Sequence, residues 1–196
     1  MSKKTKKKCH LSINQVSLSN EAKRFIAKKP YEFADRNEEN LVSIRSNIRA
    51  SIEPMVRRVI ETYGVQISHE VIKGVSCQVV KPKKTLSDHR ILYGFGGGFV
   101  SGSAFEDLTI AVPISALAEL EVIIPEYKLA PENPWPVACE DFFTVYSSLS
   151  KTLAAIVGES AGGNLALVAL LKAKKLGLRM PKSAVLFSPW CNLKNE

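Results

Sequence analysis

The sequence predicts an α/β domain built on a largely parallel sheet. Short apolar segments of β type alternate with helical segments between residues 69 and 187. A glycine-rich loop, residues 94–99, follows one of the β segments, and the motif Gly-Glu-Ser-Ala-Gly at residues 158–162 separates another from a long helical segment. Alternating strands and helices favour a parallel sheet, because each crossover helix covers one face of it.

A helical region is predicted over residues 37–68. Apolar side chains recur there at helical spacing from Leu41 to Tyr63. Pro54 is predicted to divide this stripe into two helices, because proline is tolerated in a first turn but disfavoured in a helix interior. Two interpretations of the region stay open: the helices pack on the core, or they form a lid over a pocket.

The later elements follow from apolar spacing and from turn residues. They are a β-hairpin over residues 69–80 with Lys73 and Gly74 at its turn, a strand at 90–93, a helix at 108–120 begun or bent at Pro113, a strand at 121–124, a helix at 137–149, a strand at 153–157, a helix from the serine turn to about Leu176, and a strand at Ser183–Phe187.

Length and charge limit the classes of function. A chain of 196 residues corresponds to about one domain, and 45% hydrophobic residues suffice for a core. Five of the eight net positive charges come from lysines at positions 3, 4, 6, 7 and 8. Residues 1–36 are therefore predicted to be a basic, poorly ordered segment. Its lysine run is interpreted as a solvated tail, with contact to nucleic acid or to an acidic membrane as the alternative. Because no nucleic-acid-binding motif accompanies the run, no nucleic-acid partner is expected.

The chain is predicted to be soluble and cytoplasmic, since no apolar run reaches spanning length and no apolar signal core follows the basic start. The four cysteines are far apart and form no C-x-x-C, which favours reduced thiols over a disulfide framework or a metal site. No cofactor is expected either. A dinucleotide fingerprint requires glycine where Phe99 stands, and a P-loop requires a Gly-Lys-Ser/Thr that does not follow.

The serine motif and the glycine loop together indicate acyl transfer. A G-x-S-x-G serine lies on a sharp strand-to-helix turn that needs small neighbours, so Ser160 is the candidate nucleophile. Acyl transfer also needs amide donors aimed at the developing oxyanion. The backbone amides of Gly97, Gly98 and Ala161 are the candidate donors. The alternative is that the glycines only make a tight turn.

Four motifs in this order resemble the hormone-sensitive-lipase-like branch of the α/β-hydrolases. They are LYGFGGGFVSGS at 92–103, EYKLAPENPWP at 126–136, GESAGGNLA at 158–166 and SPW at 188–190. The resemblance implies an eight-stranded sheet, an N-terminal helical cap, and cofactor-free hydrolysis of carboxylic esters with short to medium acyl chains. It also implies that Ser160 is the nucleophile and that Gly97, Gly98 and Ala161 supply the oxyanion donors.

The chain departs from the family pattern at three places. Phe95 stands where the glycine loop of the family opens with histidine, and Glu126 and Lys128 replace an aspartate and an arginine, which alters an expected ion pair. No histidine follows Ser160, although the family order is serine, acid, histidine. The core at residues 69–196 is therefore predicted to be an incomplete α/β-hydrolase fold with about six of eight strands.

None of the three histidines is a good candidate for the general base. His89 precedes a strand and is expected at the opposite end of the sheet, His69 lies in the hairpin, and His10 lies in the tail. The sequence thus predicts a serine ester hydrolase that is impaired. The alternatives are a non-catalytic binding or regulatory pseudo-hydrolase, or a fragment completed by another polypeptide. The expected partners are a small ester substrate and a second chain at the exposed strand Ser183–Phe187.

Overall fold

A computed structural model of the chain describes residues 18–27 and 40–192. Contacts between residues divide the chain into two units, residues 1–35 and residues 36–196. In the first unit the structure describes one short helix, α1 (Asn20–Ile26), at whose start the Ser19 hydroxyl accepts a hydrogen bond from the amide of Ala22 at 3.1 Å. The lysine run and His10, on which two of the predictions depend, lie outside the described residues.

The second unit contains four helices and six strands among its described residues. In chain order they are α2 (Leu41–Tyr63), β1 (Gln66–Ile72), β2 (Val75–Lys81), β3 (Arg90–Gly94), α3 (Leu108–Ala118), β4 (Glu121–Pro125), α4 (Val137–Leu149), β5 (Leu153–Glu159), α5 (Ser160–Lys175) and β6 (Ser183–Phe187).

The six strands form one mixed sheet in the order β1-β2-β4-β3-β5-β6. Strand β2 pairs antiparallel with β1 and with β4, whereas β4, β3, β5 and β6 are mutually parallel. The predicted α/β class is therefore confirmed. Helices α3, α4 and α5 each connect two parallel strands, as the alternating pattern of the sequence indicates.

The central strands are covered on both faces. Helices α4 and α5 pack against each other on one face, and α2 and α3 pack against each other on the other. The side chains of Leu92, Ile123 and Ile156 are fully buried between these layers. Strands buried on both faces need consecutive apolar residues, which explains the unbroken apolar runs in β3, β4 and β5.

The hairpin turn forms where the sequence places it. Lys73 and Gly74 both have positive φ, 50° and 87°, and they connect β1 to β2. Two consecutive residues with positive φ characterise a type I′ turn, whose twist matches that of the paired strands. The predicted hairpin is thus confirmed, and its strands extend by one to three residues beyond the predicted range.

The prediction that Pro54 divides the helical region is wrong. Helix α2 runs without a break from Leu41 to Tyr63, with Pro54 inside it. A proline within a helix removes the hydrogen bond to the carbonyl four residues earlier, which here belongs to Ala50. Ala50 is exposed, so water can satisfy that carbonyl. In α3, likewise, the helix begins at Leu108 and Pro113 lies in its interior.

Strand β6 forms one edge of the sheet. It pairs with β5 on one side, and Val185 and Phe187 are 44% and 41% exposed. The prediction of an exposed apolar edge at Ser183–Phe187 agrees with this arrangement. Separately, no helix in residues 18–27 or 40–192 is long and apolar enough to cross a membrane.

The interior proline of α2 generates a stability prediction. Pro54 is exposed, so Pro54→Ala restores the hydrogen bond to Ala50 without changing the core. We expect the free energy of unfolding to rise by about 1–2 kcal/mol, the helix penalty of proline less its stiffening of the unfolded chain. Urea unfolding followed by circular dichroism measures the change. Ser51→Ala, at another exposed position of α2, is the matched control, and an equal effect of both variants would contradict the role given to proline.

Candidate active site

Ser160 lies at the junction between β5 and α5, and its backbone has a positive φ of 49°. A non-glycine residue in this region of φ/ψ space is uncommon and strained, so the surrounding structure must hold it there. The sharp strand-to-helix turn that the motif predicts is therefore present in the structure.

Two loops meet at one edge of the sheet beside this turn. Gly94, at the end of β3, pairs with Gly158 in β5, so the glycine loop that follows β3 lies next to Ser160. The helix after β3 lies on one face of the sheet and the helix after β5 lies on the other. In open α/β sheets, ligands bind in the crevice outside the carboxyl ends of two such strands.

Three glycines permit this close approach. A Cβ atom on Gly162 would collide with the carbonyl oxygens of Gly94 and Phe95, and one on Gly158 would collide with the carbonyl of Gly162. A Cβ on Gly94 would lie 2.8 Å from the Gly162 oxygen. The first turn of α5 thus packs backbone to backbone against β3 and β5. This contact therefore requires the small residues of the motif.

The glycine loop presents its amides through a tight turn. Gly97, Gly98 and Phe99 all have positive φ, at 117°, 67° and 64°. The Gly97 carbonyl accepts hydrogen bonds from the amide and the hydroxyl of Ser101 at 3.0 and 2.9 Å. The C=O and N–H of a trans peptide point in opposite directions, so the N–H of Gly98 is turned away from Ser101.

Trp190 orients the peptide that follows the serine. Its amide donates to the carbonyl of Ser160 at 2.9 Å, and its carbonyl accepts from the Asn164 side chain at 2.9 Å. By the same peptide geometry, the N–H of Ala161 points away from Trp190. This contact could not be predicted from the SPW motif, because a hydrogen bond between distant backbone segments does not depend on which side chains those segments carry.

Phe95 fills the position that histidine holds in the family pattern. Its ring is buried and stacks on the ring of Tyr127, with centroids 4.0 Å apart and planes at 7°. The hydroxyl of Tyr127 donates to the Phe95 carbonyl at 2.7 Å. Burial raises the pKa of Tyr127 well above its usual value, so the phenol keeps its proton.

Two carboxyl groups lie beside the glycine loop. Asp107 Oδ2 accepts hydrogen bonds from the Tyr93 hydroxyl at 3.0 Å and from the Gly96 amide at 3.2 Å. Burial raises the pKa of Asp107, although both hydrogen bonds act in the opposite direction. Burial and the nearby charge of Asp107 raise the pKa of Glu159, whose carboxylate packs against Gly96. Neither carboxyl group was identified from the sequence.

The two charged replacements in the EYK motif contact different partners. Glu126 Oε2 accepts a hydrogen bond from the Ala104 amide at 3.3 Å, and burial raises the pKa of this carboxyl group. Lys128 Nζ lies 3.7 Å from Asp141 Oδ1, and the Lys128 amide donates to the same carboxylate at 3.1 Å. The two side chains therefore each support a loop separately.

Helix α2 is attached to the same region through Arg45. Its guanidinium donates to the carbonyls of Val100 and Ala130, each at 2.9 Å, and forms a bidentate ion pair with Glu132 at 2.7 and 3.0 Å. Helix α2 also packs against α3. The first of the two interpretations is thus observed, since α2 packs on the domain, and Arg45 ties it to the loops at 100 and 130–132. No residue of α2 is among those that line the cleft described below, so a lid stays a prediction.

An apolar cleft of about 700 Å³ adjoins the glycine loop. Gly98 lines one part of it, and Asn164, one helical turn after Ser160, lines another. Both tryptophans of the chain face this cleft. Its other apolar walls include Phe99, Val100, Pro136, Ala138 and Val168. A cleft of this size and character is typical of sites for small organic ligands.

The two described histidines lie away from Ser160. His89 precedes β3, whose first residue pairs with Leu153, so seven strand residues of about 3.3 Å each separate it from the level of Ser160. His69 belongs to β1, four strands from β5, which corresponds to roughly 19 Å at about 4.8 Å per strand. Among the described residues, no group of three or more His, Cys, Asp or Glu side chains is arranged to hold a metal ion.

Comparison with known proteins identifies the class. Residues 91–196 match the family model described as alpha/beta hydrolase fold. An esterase of Acinetobacter venetianus is 30% identical over 152 residues, which are 74% of this chain and 50% of that protein. Human hormone-sensitive lipase is 31% identical over 108 residues, which are 50% of this chain and 10% of that protein.

A solved structure agrees with these matches. The crystal structure of a hormone-sensitive lipase from a metagenome library superposes with a TM-score of 0.70 at 31% identity, covering 80% of this chain and 52% of that one. The chain therefore belongs to the alpha/beta hydrolase fold family, in its hormone-sensitive-lipase-like branch. It spans 37–50% of the length of three curated relatives that it matches.

The backbone contact at the serine turn generates a second stability prediction. Gly162→Ala forces its Cβ into the carbonyls of Gly94 and Phe95, so we expect a loss of about 3 kcal/mol in the free energy of unfolding. Gly177→Ala is the control, because its Cβ meets nothing within 4 Å and it costs only the strain of a positive φ, about 1 kcal/mol. Equal losses for both variants, measured by urea unfolding, would contradict the crowding.

Proposed function

We propose that this chain carries the nucleophile and the oxyanion-binding half of a serine carboxylesterase site. Ser160 is the nucleophile, and the amides of Gly97, Gly98 and Ala161 receive the oxyanion. The observation that carries the proposal is the meeting of the strained serine turn and the glycine loop at the carboxyl edge of β3 and β5. The membership of the family supports the same chemistry.

The proposed reaction follows from these groups. The Ser160 oxygen attacks the ester carbonyl while its proton passes to a general base, and the carbonyl oxygen becomes an oxyanion that the three amides stabilise. The alcohol then leaves with a proton and an acyl-serine remains. Water then attacks the acyl-serine and gives its proton to the base, and the Ser160 oxygen leaves and takes up that proton. This step releases the acid and restores Ser160. No cofactor takes part in these steps.

The substrate proposal depends on the cleft beside the loop. Its walls are mostly apolar and its volume is about 700 Å³, so it suits an uncharged ester with a short to medium acyl chain. The relatives in the comparisons include proteins named esterase and acetyl-hydrolase. We carry this substrate class to the present chain as part of the proposal, and the predicted cytoplasmic location stays a prediction.

The base is the weak part of the proposed site. Both described histidines are remote from Ser160, so a serine hydroxyl without a partner is expected to react slowly. The same observation favours a second candidate, a binding or regulatory module that keeps the cleft without the chemistry. A third arrangement is that another polypeptide supplies the acid and the histidine.

Ester hydrolysis by the 196-residue chain tests the nucleophile. We expect slow turnover of p-nitrophenyl butyrate, far below the order of 10 per second of ordinary enzymes. Ser160→Ala should reduce it to the buffer rate, because the attacking oxygen is lost. Liberated nitrophenolate measures the rate. Ser76→Ala, an exposed serine on β2, is the matched control and should hydrolyse like the unaltered chain.

Tryptophan fluorescence separates the candidates when hydrolysis is at background. Trp135 and Trp190 both line the cleft and are the only tryptophans of the chain, so a nitrophenyl ester that enters the cleft should quench them. Saturable quenching without turnover would favour the binding module. Turnover by Ser160→Ala equal to that of the unaltered chain would reject Ser160 as the nucleophile.

We also propose that the free edge of β6 pairs with a strand from another polypeptide. Alternate residues of β6 direct their N–H and C=O groups away from β5, where no described strand pairs with them, and Val185 and Phe187 are partly exposed. A row of unpaired backbone groups at the edge of a sheet is a template for strand addition. For the isolated chain the available occupant is a second copy of itself.

Sedimentation velocity over a range of concentrations tests this edge. We expect the isolated chain to self-associate and Val185→Lys to shift the equilibrium toward the monomer, because a charge on the edge opposes strand pairing. Val42→Lys, at a position 70% exposed on α2, is the matched control. If the unaltered chain is a monomer throughout, or if both variants act alike, the edge is not the site of association.

A further inference from the structure

We propose that Tyr127 and Asp107 are positioning residues that fix the peptide between Phe95 and Gly96, and thereby aim the amides of the glycine loop. The two side chains hold opposite ends of this single peptide unit, and we call the arrangement the peptide clamp. Its catalytic consequence rests on the proposed esterase function, whereas its structural consequence does not.

The geometry of the peptide clamp is specific. The Phe95 carbonyl accepts the Tyr127 hydroxyl at 2.7 Å, and the Gly96 amide of the same peptide donates to Asp107 Oδ2 at 3.2 Å. Because the C=O and N–H of a trans peptide point in opposite directions, two partners on opposite sides fix the rotation of its plane. Either contact alone restrains the plane less than the two contacts together.

The loop needs such a restraint because it is rich in glycine. Glycine loses more conformational freedom on folding than any other residue, and three glycines follow Phe95 directly. The proposed donors, the amides of Gly97 and Gly98, belong to the next two peptides. Phe95 has no polar side-chain atom, so the restraint at this end of the loop comes through its main chain.

Both members of the peptide clamp are anchored in the core of the domain. The Tyr127 ring is buried and stacks on Phe95. Asp107 immediately precedes α3 and also accepts the Tyr93 hydroxyl at 3.0 Å, so its carboxylate is held independently of the loop. Side chains that are locked by packing and by further hydrogen bonds can hold a site within the tolerance that catalysis requires.

The role is one of positioning, since neither side chain is proposed to touch the ester. Oxyanion donors act mainly in the transition state, so a donor that is poorly aimed lowers kcat more than it changes KM. Loss of the Tyr127 hydroxyl should therefore leave substrate binding unchanged while the rate of the chemical step falls.

Amide exchange of the glycines tests the peptide clamp without any assay of activity. In the full chain labelled with ¹⁵N-glycine, the 11 glycine amides give a small spectrum. We expect Tyr127→Phe to speed hydrogen exchange of Gly96 roughly fivefold, the effect of one net hydrogen bond, and to shift the Gly97 and Gly98 resonances. The ring remains, so the stack with Phe95 is kept.

Tyr146→Phe is the matched control. Its hydroxyl also donates to a backbone carbonyl, that of Arg179 at 3.2 Å, and its ring is also buried. We expect no change at Gly96, Gly97 or Gly98 in this variant. Equal effects of the two tyrosine variants on these amides, or no effect of Tyr127→Phe, would overturn the proposal.

Asp107→Asn tests the other side of the clamped peptide. Its amide oxygen can still accept from Gly96, but without a full negative charge, so we expect a smaller increase in exchange than for Tyr127→Phe. The double variant should fall short of the product of the two single effects, because loss of either contact already frees the same peptide plane. Simple multiplication of the effects would contradict a shared restraint.

Hydrolysis kinetics supply the readout that depends on the proposed function. If the unaltered chain turns over p-nitrophenyl butyrate, Tyr127→Phe should lower kcat about tenfold with little change in KM, and Tyr146→Phe should change neither. A lower kcat for both variants would overturn the catalytic part. If no variant turns over but the glycine amides respond as expected, the peptide clamp stands and ester hydrolysis by the isolated chain is rejected.

Discussion

The backbone contact among Gly94, Gly158 and Gly162 is the constraint on which the rest of the site depends. It lets the first turn of α5 pack directly against the ends of β3 and β5, where any Cβ atom would collide with a carbonyl. That packing holds Ser160 at a positive φ, which would otherwise relax. It also brings the loop after β3 beside the turn after β5, so the candidate donors and the candidate nucleophile share one edge of the sheet.

The support around this contact comes from residues far apart in the sequence. Arg45 connects α2 to the two loops that follow β3 and β4, Trp190 holds the Ser160 carbonyl, and Tyr127 holds that of Phe95. Most of these partners are backbone carbonyls. The hydrogen bond from Tyr127 reaches the carbonyl of Phe95, so it does not depend on which side chain stands at this position.

Much of the fold followed from the sequence because local patterns and tertiary structure agree. The helix over residues 137–149 has the predicted bounds, and Lys73 with Gly74 forms the predicted turn. The prediction failed at Pro54, where packing of α2 on α3 and the exposed position of Ala50 offset the local penalty of proline. Local rules give the cost of an interior proline, but they do not give the tertiary contacts that offset it.

The sequence by itself determined which residues are the candidates for the proposed chemistry. The spacing of glycines around Ser160 and in the loop before Phe99 specifies turns that few other residues allow. These positions can therefore be recognised from the sequence alone. The tertiary structure decided what holds and surrounds them. Asp107, Tyr127 and Trp190 act through hydrogen bonds to distant peptides, and the remoteness of His69 and His89 from Ser160 follows from strand order. Strand order and long-range hydrogen bonds depend on the whole packed sheet, and no local spacing of residues encodes them.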